Sequence, residues 1–348
     1  HNRALAYQKI AQALADGDSL AAKWCPRKST KDDNTAAELR EFLKLSPKQY
    51  RKLLVSLTNV VETPICAKNF SVIDYNKLPS LASARYQKVF NKHDKERYTE
   101  YKEGLKTGKT KINASAIFPH DVIKSIKKGD AVVAQAQWNA LPNYVGNEMV
   151  LPMVDVSGSM TTAVSGNTTA MDIAVSLGLY LSDKNTGSFK DVVLTFSTDS
   201  RIEVLKGNIV SKLKQISSMH WGMSTDLHRA FDSILNLAAT NSVSKDEMPK
   251  FLLILSDMEF NSCVVFDDSA FEMMKRKYEN AGYELPKIVF WNLNGRAGNS
   301  PVKYDTNNTA LVSGFSPAIL KSVLSCNSMT PEMVMLDTIN NPRYNLVV

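Results

Sequence analysis

Cysteine is scarce in this chain. There are four in 348 residues (Cys25, Cys66, Cys263 and Cys326), and no two form a Cys-x-x-Cys pair. That spacing argues against a zinc ribbon and against a dense disulfide framework. It leads to the expectation of free thiols in a reducing compartment, hence an intracellular, cytoplasmic protein. No run of 18 apolar residues occurs, so neither a transmembrane helix nor a membrane partner is expected. Histidine is also sparse, and His93, His120, His220 and His228 are not spaced as metal ligands. No Gly-x-Ser-x-Gly elbow exists, so nothing argues for a nucleophilic triad. The stretch Gly104-Leu105-Lys106-Thr107-Gly108-Lys109-Thr110 lacks one of the four residues a phosphate loop needs between its glycines. It follows a charged helical segment rather than a strand, and reads as a basic loop. No period of fixed length stands out, so a regular solenoid is not indicated. The chain opens on His1-Asn2 without Met, which leads to the expectation of an upstream segment, with any signal peptide removed along with it.

Charge is present but unevenly shared. Residues 1–148 hold 25 Lys and Arg against 15 Asp and Glu, a balance of +10, whereas the remainder holds 17 against 20, or −3. The length allows two domains and a sizeable core. A basic half beside a slightly acidic half suggests two parts with different partners.

The first part, 1–148, reads as an all-α helical region. Thr35 with Glu38 has the spacing of a capping box ahead of Leu39, Phe42 and Leu43. Ser46-Pro47-Lys48-Gln49 offers a second, with Pro47 at the first helical position. Pro79-Ser80-Leu81-Ala82 predicts one longer helix running through Tyr86, Val89 and Phe90, and Phe118 to Ile123 another that stops near Gly129. The second part, 149–348, alternates. Strands are predicted at 149–155, 191–197, 201–205, 250–256, 287–293 and 309–312, and helices at 169–183, 208–217, 226–240, 267–281 and 316–325. Apolar runs separated by helices imply an α/β fold with a doubly wound, mostly parallel sheet covered on both faces.

Three segments of the second part carry chemistry. Asp155-Val156-Ser157-Gly158-Ser159 ends the apolar run from Met149 and can aim three oxygens at one spot. Thr225 and Asp226 stand where a helix begins, and Asp257 follows the apolar run Phe251 to Ser256. In a parallel sheet the carboxyl ends of the strands share one edge, where such folds bind ligands. Carboxylate and hydroxyl oxygens suit Mg²⁺, or Mn²⁺ and Ca²⁺, better than zinc or copper. A strand-end Asp155 could also serve as the nucleophile of a phosphohydrolase. Such a site usually places a second carboxylate two residues later, and Ser157 stands there instead.

This constellation resembles the metal-ion-dependent adhesion site of von Willebrand factor A domains: Asp-x-Ser-x-Ser, a Thr in a Gly-x-x-Thr-Asp-like loop, then an Asp after a later strand. The resemblance implies Asp155, Ser157, Ser159, Thr225 and Asp257 as the five metal-site residues. It also implies that the serines bind the ion directly while the acids often act through water. Ser224 departs mildly from the pattern, where the family often has a second glycine. An ion short of negative charge would welcome an acidic group from a protein partner, and the Ser/Thr/Gly-rich segment Thr161–Thr169 is expected to wall that mouth.

The basic part has its own candidate. From Arg85 to Lys111 there are nine Lys and Arg and four Asp and Glu, interleaved with Tyr86, Phe90, Tyr98 and Tyr101. Arg85, Lys88, Lys92, Lys95, Arg97, Lys106, Lys109 and Lys111 are the candidate nucleic-acid contacts. Cations supply the salt-sensitive phosphate attraction, and aromatics can stack unpaired bases or else pack inward on an amphipathic helix. A basic helical region ahead of an A domain resembles the Ro autoantigen (TROVE plus von Willebrand A) superfamily. Lys23-Trp24-Cys25-Pro26-Arg27-Lys28, Asp74 to Ala82 and Leu255-Ser256-Asp257-Met258-Glu259-Phe260 carry that likeness. In Ro proteins a ring of helical repeats binds small and misfolded RNAs, and 148 residues are too few for a complete ring. The expectation is a non-enzymatic protein that binds a divalent cation and an acidic partner, and RNA or another polyanion. A structural or assembly protein using the A domain for protein contacts alone is the other reading.

Overall fold

A computed structural model describes residues 2–27, 33–127, 131–195, 202–219, 227–258, 268–294 and 309–316, with a few isolated positions beyond. Its helices in the first part are α1 (Asn2–Ala15), α2 (Ser19–Trp24), α3 (Asp33–Phe42), α4 (Pro47–Leu57), α5 (Glu62–Cys66), α6 (Ser80–Arg85), α7 (Gln87–His93), α8 (Lys95–Thr107), α9 (Pro119–Lys127) and α10 (Ala131–Asn139). The second part runs β1 (Val150–Val154), β2 (Ala163–Ser165), β3 (Thr168–Thr169), α11 (Ala170–Lys184), β4 (Val192–Thr195), β5 (Ile202–Val204), α12 (Ile209–Ser218), α13 (Leu227–Thr240), β6 (Phe251–Ser256), α14 (Asp268–Asn280), β7 (Lys287–Asn292) and β8 (Thr309–Ser313). The predicted last helix, 316–325, lies almost entirely outside the described residues.

The chain divides into two compact units. One comprises His1–Asp74, Val89–Lys95 and Asn340–Val348, and the other Tyr75–Lys88 and Glu96–Ile339. In the first, α4 lies against α2 and α2 against α1. Tyr7, Leu14, Leu39, Tyr50 and Leu54 close its core. The Ser46 box forms as read: its hydroxyl caps Gln49 N–H, Gln49 reaches back to Ser46 N–H, and Pro47 opens α4. The Thr35 box does not form, because α3 begins two residues earlier, at Asp33. Glu38 is instead taken up by Arg3 at 3.0 Å and the Tyr7 hydroxyl at 2.7 Å.

In the second unit a six-stranded sheet has the order β5-β4-β1-β6-β7-β8, parallel except for β5 at one edge. Numbered along the chain, that is 3-2-1-4-5-6, the doubly wound order. Every residue of β1, β4 and β6 is buried, as strands covered on both faces require. Val150 and Val154 face one layer, with Ile173 and Leu177 of α11 and Leu213 of α12. Leu151 and Met153 face the other, with Phe231 and Ile234 of α13 and Tyr278 of α14. Gly178 of α11 lies so close to β1 that a Cβ there would stand 2.4 Å from Val154 Cγ2. α9 packs on α11, and α10 on both α9 and α12, so helices from the first half of the sequence extend the layer over this sheet.

The single helix predicted from Pro79 through Phe90 is two. α6 closes with Tyr86 N–H on Ala82 O, and Tyr86 itself leaves helical geometry. Gln87 is then buried and donates to Ser125 Oγ at 2.7 Å, a contact that fixes the chain where a continuous helix would have passed. A buried ammonium ties the helical layer together: Lys212 of α12 donates to Asp183 at 2.5 Å and Asp191 at 2.6 Å, while Trp138 Nε1 donates to Asp183 at 3.1 Å. Burial pulls the Lys212 ammonium down, but the hydrogen bonds and charges of the two aspartates outweigh it and hold its proton above the ordinary lysine value.

Candidate metal site

The chain leaves the sheet at Asp155 without losing its tie to β6, since Asp155 N–H donates to Leu255 O at 3.0 Å. β1 and β6 run parallel in direct register, Val154 beside Leu255. They are also the strands between which the winding reverses, one half of the sheet growing from β1 and the other from β6. That switch point opens a crevice outside the strand ends. Asp155 and Asp257 stand at it, only 3% and 4% exposed, so neither carboxyl is freely hydrated.

The loop after β1 is closely determined. Asp155 Oδ1 accepts Ser157 N–H at 2.8 Å, an Asx turn that folds the loop back over the strand end. Gly158–Thr161 forms a short 3₁₀ turn whose Met160 is fully buried, which pins the loop to the core. Ser157 and Ser159 are half-buried, with their hydroxyl oxygens 3.0 Å apart. Thr161 and Thr162 turn inward to their own loop, donating to Gly158 O and Ser159 O at 2.7 and 2.9 Å. The predicted wall of this mouth folds into the β2–β3 hairpin ahead of α11.

Across the crevice, Ser256 Oγ donates to Asp155 Oδ2 at 2.6 Å. Met258 adopts a left-handed φ of +63°, which turns the chain sharply just after Asp257. Burial pushes the Asp155 carboxyl above the ordinary carboxylate range, the hydrogen bonds from Ser256 and Ser157 pull against that rise, and the charge of Asp257 adds to it. Two buried acids that repel each other beside a pair of hydroxyls form a site short of positive charge. An oxygen-preferring divalent ion fits that donor set. Among the described residues no group of three His, Cys, Asp or Glu is placed to hold a metal ion, and the described donors at this edge are two carboxylates and two hydroxyls. The structure thus brings Asp155, Ser157, Ser159 and Asp257 to one edge, while Thr225 lies outside the described residues. Sequence reasoning missed Ser256. The only available signal was a hydroxyl as the last residue of an otherwise apolar strand.

All eight basic candidates, Arg85, Lys88, Lys92, Lys95, Arg97, Lys106, Lys109 and Lys111, are exposed. Lys92 and Lys95 belong to the first unit and the other six to the second. The interleaved aromatics do not share that exposure. Phe90, Tyr98 and Tyr101 are buried, and Tyr98 and Tyr101 pack against Tyr75 with ring centroids 5.1 and 5.3 Å away. Arg97 lies over the Tyr75 ring and Lys102 over Tyr98. In the second unit, Tyr75, Tyr98 and Tyr101 thus pack on one another beneath Arg97 and Lys102. The glycine-rich basic loop is a helix C-terminus: Gly108 takes φ +74°, and Lys109 N–H closes on Gly104 O at 2.9 Å. That end presents carbonyls, the wrong polarity for cradling a phosphate. No helix among the described residues is long and apolar enough to cross a membrane.

Comparison with known proteins gives the following. The family model described as "Domain of unknown function (DUF2828)" matches residues 4–149. "Uncharacterized protein L728" of Acanthamoeba polyphaga mimivirus is 31% identical over 350 residues, covering 91% of this chain and 60% of that protein. The crystal structure of the RO (RSR) protein of Deinococcus radiodurans aligns with a TM-score of 0.45 at 17% identity, over 89% of this chain and 62% of that one. The chain therefore spans about 60% of the length of these relatives. The family model described as "Domain of unknown function (DUF7788)" matches residues 150–342, more than half of the chain and all of the sheet, and the chain belongs to that family.

Proposed function

We propose that this protein is a non-enzymatic binding protein whose sheet domain holds a divalent cation, Mg²⁺ in the first place, and recruits an acidic partner through it. One observation carries the reading: Asp155 and Asp257 are buried at adjacent strand ends beside the Ser157 and Ser159 hydroxyls, 3.0 Å apart. Ser157, Ser159 and Thr225 are the direct ligands in this reading, with Asp155 and Asp257 supplying negative charge behind them. Mg²⁺ keeps waters and accepts few carboxylates, which such a shell allows. An ion held mainly by neutral hydroxyls keeps electrophilic character and attracts a carboxylate from outside. Titrating Mn²⁺ and following its electron paramagnetic resonance signal tests this. Binding is expected in the wild type and lost in Asp155→Asn. A wild type that leaves the Mn²⁺ signal unchanged overturns the reading.

The exposure of all eight basic candidates favours a second binding role, for RNA or another polyanion. With Phe90, Tyr98 and Tyr101 buried, that role rests on phosphate attraction and not on base stacking. Binding of single-stranded RNA that weakens steeply between about 50 and 200 mM salt is the expected result. Absence of salt-dependent binding leaves a protein that makes protein contacts alone.

A further inference from the structure

We infer that Ser256 is the positioning residue of the cation site, fixing the Asp155 carboxylate from the neighbouring strand. The inference rests on the cation reading above and adds to it a residue that acts through Asp155 rather than by touching the ion. Ser256 is fully buried as the last residue of β6, and its carbonyl accepts Leu293 N–H at 2.9 Å, so its backbone cannot wander. Its hydroxyl has one hydrogen. The oxygen accepts Met258 N–H at 3.1 Å, and the hydrogen is directed to Asp155 Oδ2 at 2.6 Å. With Asp155 ionised the polarity of this pair is fixed, because a carboxylate can only accept.

Asp155 is consequently held at both oxygens, Oδ1 by Ser157 N–H of its own loop and Oδ2 by Ser256 of β6. One hydroxyl thereby couples three things: the plane of the Asp155 carboxylate, the left-handed turn at Met258, and the position of Asp257 between them. Partners of this kind orient charged groups around metals, and their loss typically weakens metal binding about 10- to 100-fold. Removing the Ser256 hydroxyl frees Oδ2 to rotate in a site that water hardly reaches.

The test is calorimetric titration of Mg²⁺ into the full chain as wild type, Ser256→Ala, Ser256→Cys and Ser256→Thr, with each variant's melting curve recorded. Cysteine keeps the shape but donates weakly, and threonine keeps the hydroxyl. The expected result is a Kd raised about 10- to 100-fold in the Ala and Cys variants and within about threefold of wild type in Thr. A lowered melting temperature with unchanged Kd in Ser256→Ala makes the residue structural only and overturns the inference. If Ser256→Ala does not fold, wild-type affinity in Ser256→Cys overturns it equally. A wild type that binds no Mg²⁺ overturns the cation reading itself, whereas wild-type binding with indifferent variants overturns this inference alone.

Discussion

Charged side chains act in opposite ways in two parts of the second unit. At the end of β1, where Asp155 stands, and around Lys212, the charged group is buried and held by named partners at 2.5–2.8 Å. Between Arg97 and Lys111 the charges are exposed except for the half-buried Lys102, and the buried groups are the tyrosine rings Tyr98 and Tyr101. A buried charge loses hydration and depends on a small set of neighbours, so removing one neighbour has a large effect. An exposed charge keeps its water, contributes little to folding, and adds to others over a distance set by salt. The first arrangement specifies a site, whereas the second provides a field.

The sharpest way to break this contrast is to compare one lysine of each kind. Lys212→Met leaves Asp183 and Asp191 facing each other without their shared cation and is expected to cost about 3 kcal/mol, read by urea denaturation. Lys106→Met, at an exposed i, i+3 pair with Glu103, is expected to change stability by less than about 0.5 kcal/mol. Equal losses would end the distinction. The pH dependence gives a second readout. The folded pKa of Lys212 is raised, so its contribution is complete below the unfolded value and is lost as pH rises through the folded one. Wild type is therefore expected to lose more stability than Lys212→Met on going from pH 9 to above about 10.5.

Asp155→Asn comes next in size. It preserves shape but removes the charge and turns one carboxylate oxygen into a donor facing the Ser256 hydroxyl hydrogen or the Ser157 N–H. Divalent-ion affinity is expected to fall by about 100-fold, the upper end of the range for residues that act from behind the ligands, because the charge is lost along with the orientation. Calorimetry with Mg²⁺ reads it, and a fall of less than about threefold would place the ion's charge partner elsewhere.

Gly178→Ala tests whether the strand end is as tightly set as its hydrogen bonds imply. A methyl there meets Val154 Cγ2, the residue just before Asp155, and also approaches Leu255 Cδ1 at 3.9 Å. Overpacking of this kind costs about 1–3 kcal/mol, and here it also pushes on the strand that carries the site. Both the melting temperature and the Mg²⁺ affinity are expected to fall together. A melting change alone would mean that β1 gives way without moving Asp155.

What the sequence disclosed follows the same division. β1, β6 and β7 were legible because central parallel strands are continuous apolar runs, and Asp155 and Asp257 because each ends one. The cap at Ser46 was legible because proline and a capping box are local chemistry. Ser256 was not, since its partner Asp155 is 101 residues away and a lone serine at a strand end carries no mark of that pairing. The break at Tyr86 was equally silent. No glycine or proline announces it, and its cause is a tertiary bond from Gln87 to Ser125. α10 was passed over because Ala131–Asn139 shows no clear apolar stripe, and it is nonetheless buried on several sides by α6, α9 and α12. The orientation of Tyr98 and Tyr101 was open for a related reason: alternating charge and ring on a helix fits a core face and a binding face alike, and Tyr75 decides between them.

The smallest expected effects lie in the exposed tract, and their smallness is the point. If Lys106, Lys109 and Lys111 act only as a field, replacing any one with Gln should lower the salt slope of RNA binding by about 0.7, the increment for one phosphate on a single strand. Replacing all three should lower it by about 2, because exposed charges with separate phosphates add. Tyr98→Phe at the same helix should leave the slope unchanged, since that ring is buried against Tyr75 and meets no base. Filter binding across a salt series measures all of these. A single lysine whose loss removes most of the slope would mean that one phosphate is held in a formed pocket. The tract would then belong with Asp155 and Lys212, as a site defined by particular neighbours.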